Sequence, residues 1–181
     1  MINLRTSLTD PIRFDELPVA SGVLGLTFCP GKHGSSLTGP GWARDLELDL
    51  SASRVWGASE LVTLMEDEEF ALLNVSDLPG RVAIHGMVWR HLPIPDQGVP
   101  GDAFLSQWPV ACQELLSALG AGARIVLHCR GGLGRTGLVA ALFLIETGAA
   151  PEGAIREVRR RRPRAIETRA QEDFVRAYRA A

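Results

Sequence analysis

The sequence predicts an α/β protein, a three-layer α/β/α sandwich around a central, largely parallel sheet. Three observations carry that expectation. Residues 124–128 contain a continuous Ile-Val-Leu run, the mark of a strand covered on both faces. A glycine-rich loop follows at the carboxyl end of that strand and leads directly into an apolar helix, the place where such sheets bind ligands. Elsewhere, short apolar runs alternate with segments of helical period, as layered α/β chains require. The 181 residues are enough for one domain with a proper core, read as 1–181 with 1–22 as an N-terminal extension or edge strand.

In chain order, residues 12–14 and 23–28 read as short strands, the second ended by Pro30-Gly31. Residues 31–41, rich in glycine and serine, read as a loop. A helix is expected over 42–56, where Trp42, Leu46 and Leu50 repeat at four. An apolar strand at 61–65 precedes an acidic helical turn at 66–69. A strand at 87–94 runs into Pro93, Pro95 and Pro100. Asp102 reads as the N-cap of a helix whose apolar side carries Phe104, Trp108, Ala111, Leu115 and Leu119. Pro109 is expected to kink or restart that helix. The helix over 135–147 is apolar all round and must be covered by other elements. Gly148 ends it and Pro151 opens the next. Thr168 and Gln171 form a capping box for a last helix ending near Tyr178.

Hydrophobic residues make up 46% of the chain and the formal charge is −2, so no nucleic-acid or membrane partner is expected. Residues 1–10 carry no apolar signal core, and the longest apolar stretch, 137–145, is too short to span a bilayer. Three cysteines without C-x-x-C spacing and four unpaired histidines predict neither a disulfide framework nor a zinc site. A reducing, cytoplasmic setting and the absence of any cofactor are the corresponding expectations.

Residues 128–136 read His-Cys-Arg-Gly-Gly-Leu-Gly-Arg-Thr, with Arg135 six positions after Cys129. Gly131, Gly132 and Gly134 let the backbone curl so that successive N–H groups point inward, an anion-binding nest. The helix beginning near Arg135 adds its positive end. A cysteine at the base of such a nest ionises readily. A phosphate dianion held there meets a nucleophile beneath it and a bidentate arginine beside it. Gly132, Gly134 and Gly137 also fit G-x-G-x-x-G, the dinucleotide fingerprint, but that fold needs a second strand ending in an acidic residue about 20 positions on, and none follows.

This stretch resembles the His-Cys-(five residues)-Arg-Ser/Thr loop of the cysteine-dependent protein phosphatases, and most closely the small dual-specificity, kinase-associated branch. The resemblance implies the dual-specificity phosphatase fold from about Val23 onward. It implies Cys129 as nucleophile, Arg135 as phosphate and transition-state clamp, and Thr136 as the hydroxyl that assists thiolate departure. It also makes the backbone of Arg130, Gly131, Gly132, Leu133, Gly134 and Arg135 the phosphate cradle, and His128 a residue that orients the cysteine. In such enzymes a downstream glutamine helps place the hydrolytic water; Gln171 looks like that residue, and its cap role explains it equally well.

Phosphate-ester cleavage by a cysteine also needs a general acid on a loop reaching over the nest. Residues 92–98, Leu-Pro-Ile-Pro-Asp-Gln-Gly, supply Asp96, with Asp102 as the rival whose cap role ranks it lower. The expected function is metal-independent hydrolysis of phosphomonoesters through a cysteinyl-phosphate, on phosphotyrosine and by extension phosphoserine or phosphothreonine in a protein partner. A catalytically silent phosphate-binding module and a phosphoinositide phosphatase are the alternatives. The arginine block at 156–164 reads as a solvated helix face with one or two internal pairs, or as a dock for an acidic partner.

Overall fold

The structure, a computed structural model, describes residues 4–36 and 39–180. Strand β7 (Arg124–Cys129) lies in the middle of a five-stranded sheet. Strands β2 (Gly22–Phe28) and β5 (Ala58–Thr63) flank it in parallel, and β6 (Val88–His91) continues the parallel set beyond β5. Strand β1 (Asp15–Val19) closes the other edge antiparallel to β2, joined to it by the two-residue turn Ala20-Ser21. A small ribbon, β3 (His33–Gly34) with β4 (Trp42–Ala43), stands apart. The sheet is therefore mixed but mostly parallel.

Side-chain alternation divides the interior into two cores. Ile125, Leu127 and Cys129 pack toward α4 (Asp102–Gly120), α5 (Gly134–Glu146), α6 (Pro151–Arg161) and α7 (Arg169–Ala177). Val126 and Leu61 pack toward α1 (Leu46–Trp56), α2 (Asp67–Leu72) and α3 (Leu78–Ile84). A strand with cores on both faces must be apolar at consecutive positions, which is why 124–128 lacks alternation. Helix α5, buried on nearly every side, is covered by α6 and α7 and by the sheet. The parallel strands end at one edge, so the segments after β2, β5 and β7 converge there.

Several boundaries differ from expectation for identifiable reasons. Residues 12–14 form no strand; β1 lies just downstream, where the turn sets its register, and Pro18 is tolerated because this is an edge. The helix expected from 42 begins at Leu46, because Asp45 accepts the Leu48 N–H and caps it, while Trp42 joins the ribbon. Leu37 and Thr38 of the expected loop lie outside the described residues. The 61–65 strand is displaced to Ala58–Thr63, and the acidic turn grows into α2, with Glu69 bonding back to the Glu66 N–H. The 87–94 strand is cut to four residues by its prolines. Asp102 is not the cap but the first residue of α4, behind Gly101. Pro109 does not restart α4; the Leu105 carbonyl it leaves without its helical N–H sits on an exposed stretch open to solvent. Helix α3 was not anticipated at all.

A buried ion pair anchors the corner behind the loop edge. Arg44 grips Asp49 through two bonds of 2.7 and 2.8 Å, both side chains inaccessible, while Asp49 also accepts the Gly31 N–H at 2.9 Å and Arg44 donates to the Asp10 carbonyl at 2.7 Å. Breaking such a pair strands a charge in the core. Asp49→Ala is expected to lower the unfolding free energy in urea by about 3–5 kcal/mol. A loss below about 1 kcal/mol, as for an exposed pair, would contradict this placement.

Candidate active site

Cys129 ends β7 at 3% exposure, and the chain then curls back over it. The curl turns at Gly132, whose φ is +69° and whose site leaves no room for a side chain, since a Cβ would stand 2.1 Å from the Thr27 carbonyl oxygen. The loop carbonyls face outward and are held there. Arg130 O accepts the Lys32 ammonium at 3.2 Å and the Cys29 N–H at 3.4 Å. Arg162 donates to the carbonyls of Gly131, at 3.3 Å, and Gly132. Because the N–H of a trans peptide points opposite its C=O, the amides of Gly131, Gly132 and Leu133 are turned inward. The Gly132 N–H accordingly donates to Cys129 Sγ at 3.2 Å. Helix α5 starts at once, adding its N-terminal donors.

Arg135, in the first turn of α5, is 2% exposed and held in a tight frame. Its Nη1 and Nη2 meet the two oxygens of Glu69 at 2.5 and 2.9 Å, a bidentate pair, and Nη1 also donates to the Ile94 carbonyl at 3.1 Å. Burial alone would push the guanidinium down, but the Glu69 hydrogen bonds and the facing Cys129 hold it above its ordinary value. Nη2 reaches Asp96 Oδ1 at 2.9 Å. Asp96 is half-exposed on the loop after β6, its other oxygen 4.0 Å from Arg130. The structure thus brings Cys129 and Arg135, at the two ends of one loop between β7 and α5, together with Asp96 from the loop after β6; Asp102 stays outside, on α4.

The remaining expected residues divide. His128 is fully buried under the loop, Nε2 sharing a 2.7 Å hydrogen bond with Thr63 Oγ1, which Trp89 Nε1–H also reaches at 2.9 Å. Burial pushes its imidazole down to about 3, Arg135 adding to the effect and the Cys129 backbone opposing it. The Thr136 hydroxyl is buried without a hydrogen-bond partner among the described residues and makes no bond to Cys129 Sγ. Gln171 is fully buried: its Oε1 takes the N–H groups of Glu167 and Thr168, and its Nε2 donates to Gly98 O at 2.9 Å. It is a brace between the acid loop and α7. The side chain of that segment that reaches the nest is Glu167, whose Oε2 accepts the Gly134 N–H at 2.8 Å.

Sequence reading missed Glu69, Arg162 and Glu167. Lys32 is buried against the rings of Phe28 and Trp42, its amine pushed down to about 8 by that burial. In the arginine block, Arg159, Arg160, Arg161 and Arg162 all pair internally, more than the one or two expected, leaving Arg156 and Arg164 without a partner among the described residues. Only the acidic run of α2 hinted at Glu69.

A family model described as the Swiss Army Knife protein, DSP-PTPase phosphatase domain, matches residues 47–175, spanning the acid loop, the nest and Gln171. The chain belongs to the cysteine-dependent DSP/PTP phosphatase superfamily. Cyclin-dependent kinase inhibitor 3 of Rattus norvegicus is 30% identical over 176 residues, covering 93% of this chain and 79% of that one. Receptor-type tyrosine-protein phosphatase H of Homo sapiens is 33% identical over 128 residues, 66% of this chain and 10% of the receptor. A crystal structure of kinase associated phosphatase, with its catalytic-site cysteine replaced by serine, superposes with a TM-score of 0.81 at 27% identity, covering 91% of this chain and 92% of that one. Within this DSP/PTP superfamily the chain lies close to the kinase-associated branch.

Two outcomes follow from this geometry. Gly132→Ala is expected to lower the thermal midpoint sharply, because it combines a left-handed backbone with a clash. Gly131→Ala, whose Cβ meets nothing within 4 Å, should unfold like wild type; equal effects would contradict the loop path. His128 is held neutral in the fold and protonates on unfolding below its ordinary 6.5, so stability is full above that pH and falls toward 3. Urea titrations are expected to lose stability between about pH 6.5 and pH 5, His128 contributing up to about 1.4 kcal/mol per pH unit. An unchanged stability across that interval would place His128 in solvent.

Proposed function

We propose that this DSP/PTP phosphatase domain is an active, metal-independent phosphomonoesterase that dephosphorylates phosphotyrosine, and phosphoserine or phosphothreonine, in a protein partner. The observation that carries the reading is the convergence of Cys129, beneath inward amides, with Arg135 and with Asp96 at 2.9 Å from that arginine. The ester phosphate enters the nest, and its oxygens take the loop amides and the guanidinium edge now shared with Asp96. The Cys129 thiolate attacks phosphorus in line, the S–P bond forming as the ester P–O bond breaks. Asp96, as carboxylic acid, gives its proton to the departing oxygen. Water then attacks phosphorus, Asp96 accepts its proton, the S–P bond breaks, and inorganic phosphate leaves with the thiolate restored.

Glu69 keeps Arg135 in place throughout by occupying the Nη1–Nη2 end of the guanidinium, so the clamp need not be ordered when substrate arrives. Thr136 stands by as a buried hydroxyl without a protein partner, suited to a hydrogen bond with the sulfur as it leaves phosphorus. Substrates of the phosphoprotein class fit the relatives' kinase-associated naming, and the single extra cation of the loop, Arg130, argues against the polyanionic headgroup of a phosphoinositide.

The test is phosphate release from p-nitrophenyl phosphate and a phosphotyrosine peptide in chelator. Wild type is expected to turn over both, and Cys129→Ser neither. Asp96→Asn should lose about 10²-fold or more on the phosphotyrosine peptide, and much less on p-nitrophenyl phosphate, whose leaving group needs less protonation. No turnover by wild type, with oxyanion still bound, would make this a phosphate-recognition module. An equal loss on both substrates would remove Asp96 from the acid role.

A further inference from the structure

Glu167 stands in a position that the proposed reaction does not use. It is exposed and makes no ion pair among the described residues; the partner of its carboxylate is the Gly134 N–H, one of the donors of the nest. The approach is close: a Cβ on Gly134 would stand 2.8 Å from the same carboxylate oxygen, so glycine is what admits it.

The backbone that carries Glu167 is fixed against the loop. The Ile166 N–H donates to Leu133 O at 3.3 Å, Arg159 donates to the carbonyls of Ala165 and Ile166 at 3.1 and 3.0 Å, and Gln171 Oε1 takes the Glu167 N–H at 3.0 Å. Ile166 is held at φ +60°, a conformation a β-branched residue adopts only when its surroundings impose it. The result of all this anchoring is a negative charge set at the mouth of an anion site.

We propose that Glu167 is a built-in competitor for phosphate. Its carboxylate holds a nest donor, and a phosphate dianion must displace it or lie beside it. Two like charges a few ångströms apart at a half-exposed site weaken binding by about tenfold. Substrate and product share the nest, so a site that held every phosphate tightly would be blocked by its own product; Glu167 sets the affinity low enough for release. This rests on the reading of the loop as a phosphate site.

The experiment compares wild type with Glu167→Gln by calorimetric titration with tungstate and with inorganic phosphate, alongside thermal midpoints. Glutamine keeps an acceptor oxygen for the Gly134 N–H and removes only the charge. Glu167→Gln is expected to bind both oxyanions about tenfold tighter, with an unchanged midpoint and stronger inhibition by phosphate in turnover. Glu167→Ala, which removes charge and acceptor together, must also bind tighter. Equal or weaker binding in the variants overturns the proposal and makes Glu167 a loop brace. Absence of oxyanion binding in all three proteins overturns the nest itself, and this proposal with it.

Discussion

A row of backbone amides points inward only if the carbonyls on the same peptides have partners elsewhere. That constraint organises this molecule. Lys32 holds the Arg130 carbonyl from the β2 side, and Arg162 holds those of Gly131 and Gly132 from the end of α6. Both cations are fixed by the fold: Lys32 by aromatic rings and burial, Arg162 by Asp15 at 2.7 Å. The parallel sheet brings them within reach, because it ends β2, β5 and β7 at one edge. The loop amides are therefore turned inward before any anion arrives, and in the proposed function little reorganisation is left for binding to supply.

The second organising element is charge balance around a buried guanidinium. Arg135 sits at 2% exposure, where an unpaired cation would be untenable. Glu69 neutralises it from behind, and Asp96 shares its solvent edge. In the proposed reaction an incoming phosphate replaces only the second contact, which frees Asp96 as the substrate docks and couples binding to its readiness for proton transfer. Glu167 adds a further carboxylate at the other side of the mouth, against the Gly134 N–H, so carboxylates flank the cradle of donors.

The fold class and the loop were legible because their signals are local. A continuous apolar run marks a strand with two covered faces; glycines around Cys129 and Arg135 mark the curl; prolines after β6 mark the acid loop. The shape of α5 followed from apolarity on all sides. What stayed hidden depends on distant parts of the chain. Glu69 lies 66 residues from Arg135 and looked like a helix-opening carboxylate. Arg162 looked like one arginine among many, since nothing local says which member of a block will meet a carbonyl 30 residues away. Gln171 drew attention through its capping pattern, while Glu167, four residues earlier, had no motif of its own beyond proximity. The start of α1 was misjudged because apolar spacing ran through Asp45, where the cap bond decides the boundary.

The claim on which the account stands is that Cys129 itself carries the phosphoryl group. Rapid quench of the Asp96→Asn protein during turnover of p-nitrophenyl phosphate, whose leaving group needs little protonation while the base for hydrolysis is gone, followed by mass spectrometry of the loop peptide, tests it directly. The account predicts one phosphate on Cys129, absent from Cys129→Ser and lost on dephosphorylation at neutral pH. Turnover with no phosphorylated Cys129 at any time point, or label on another residue, would contradict it.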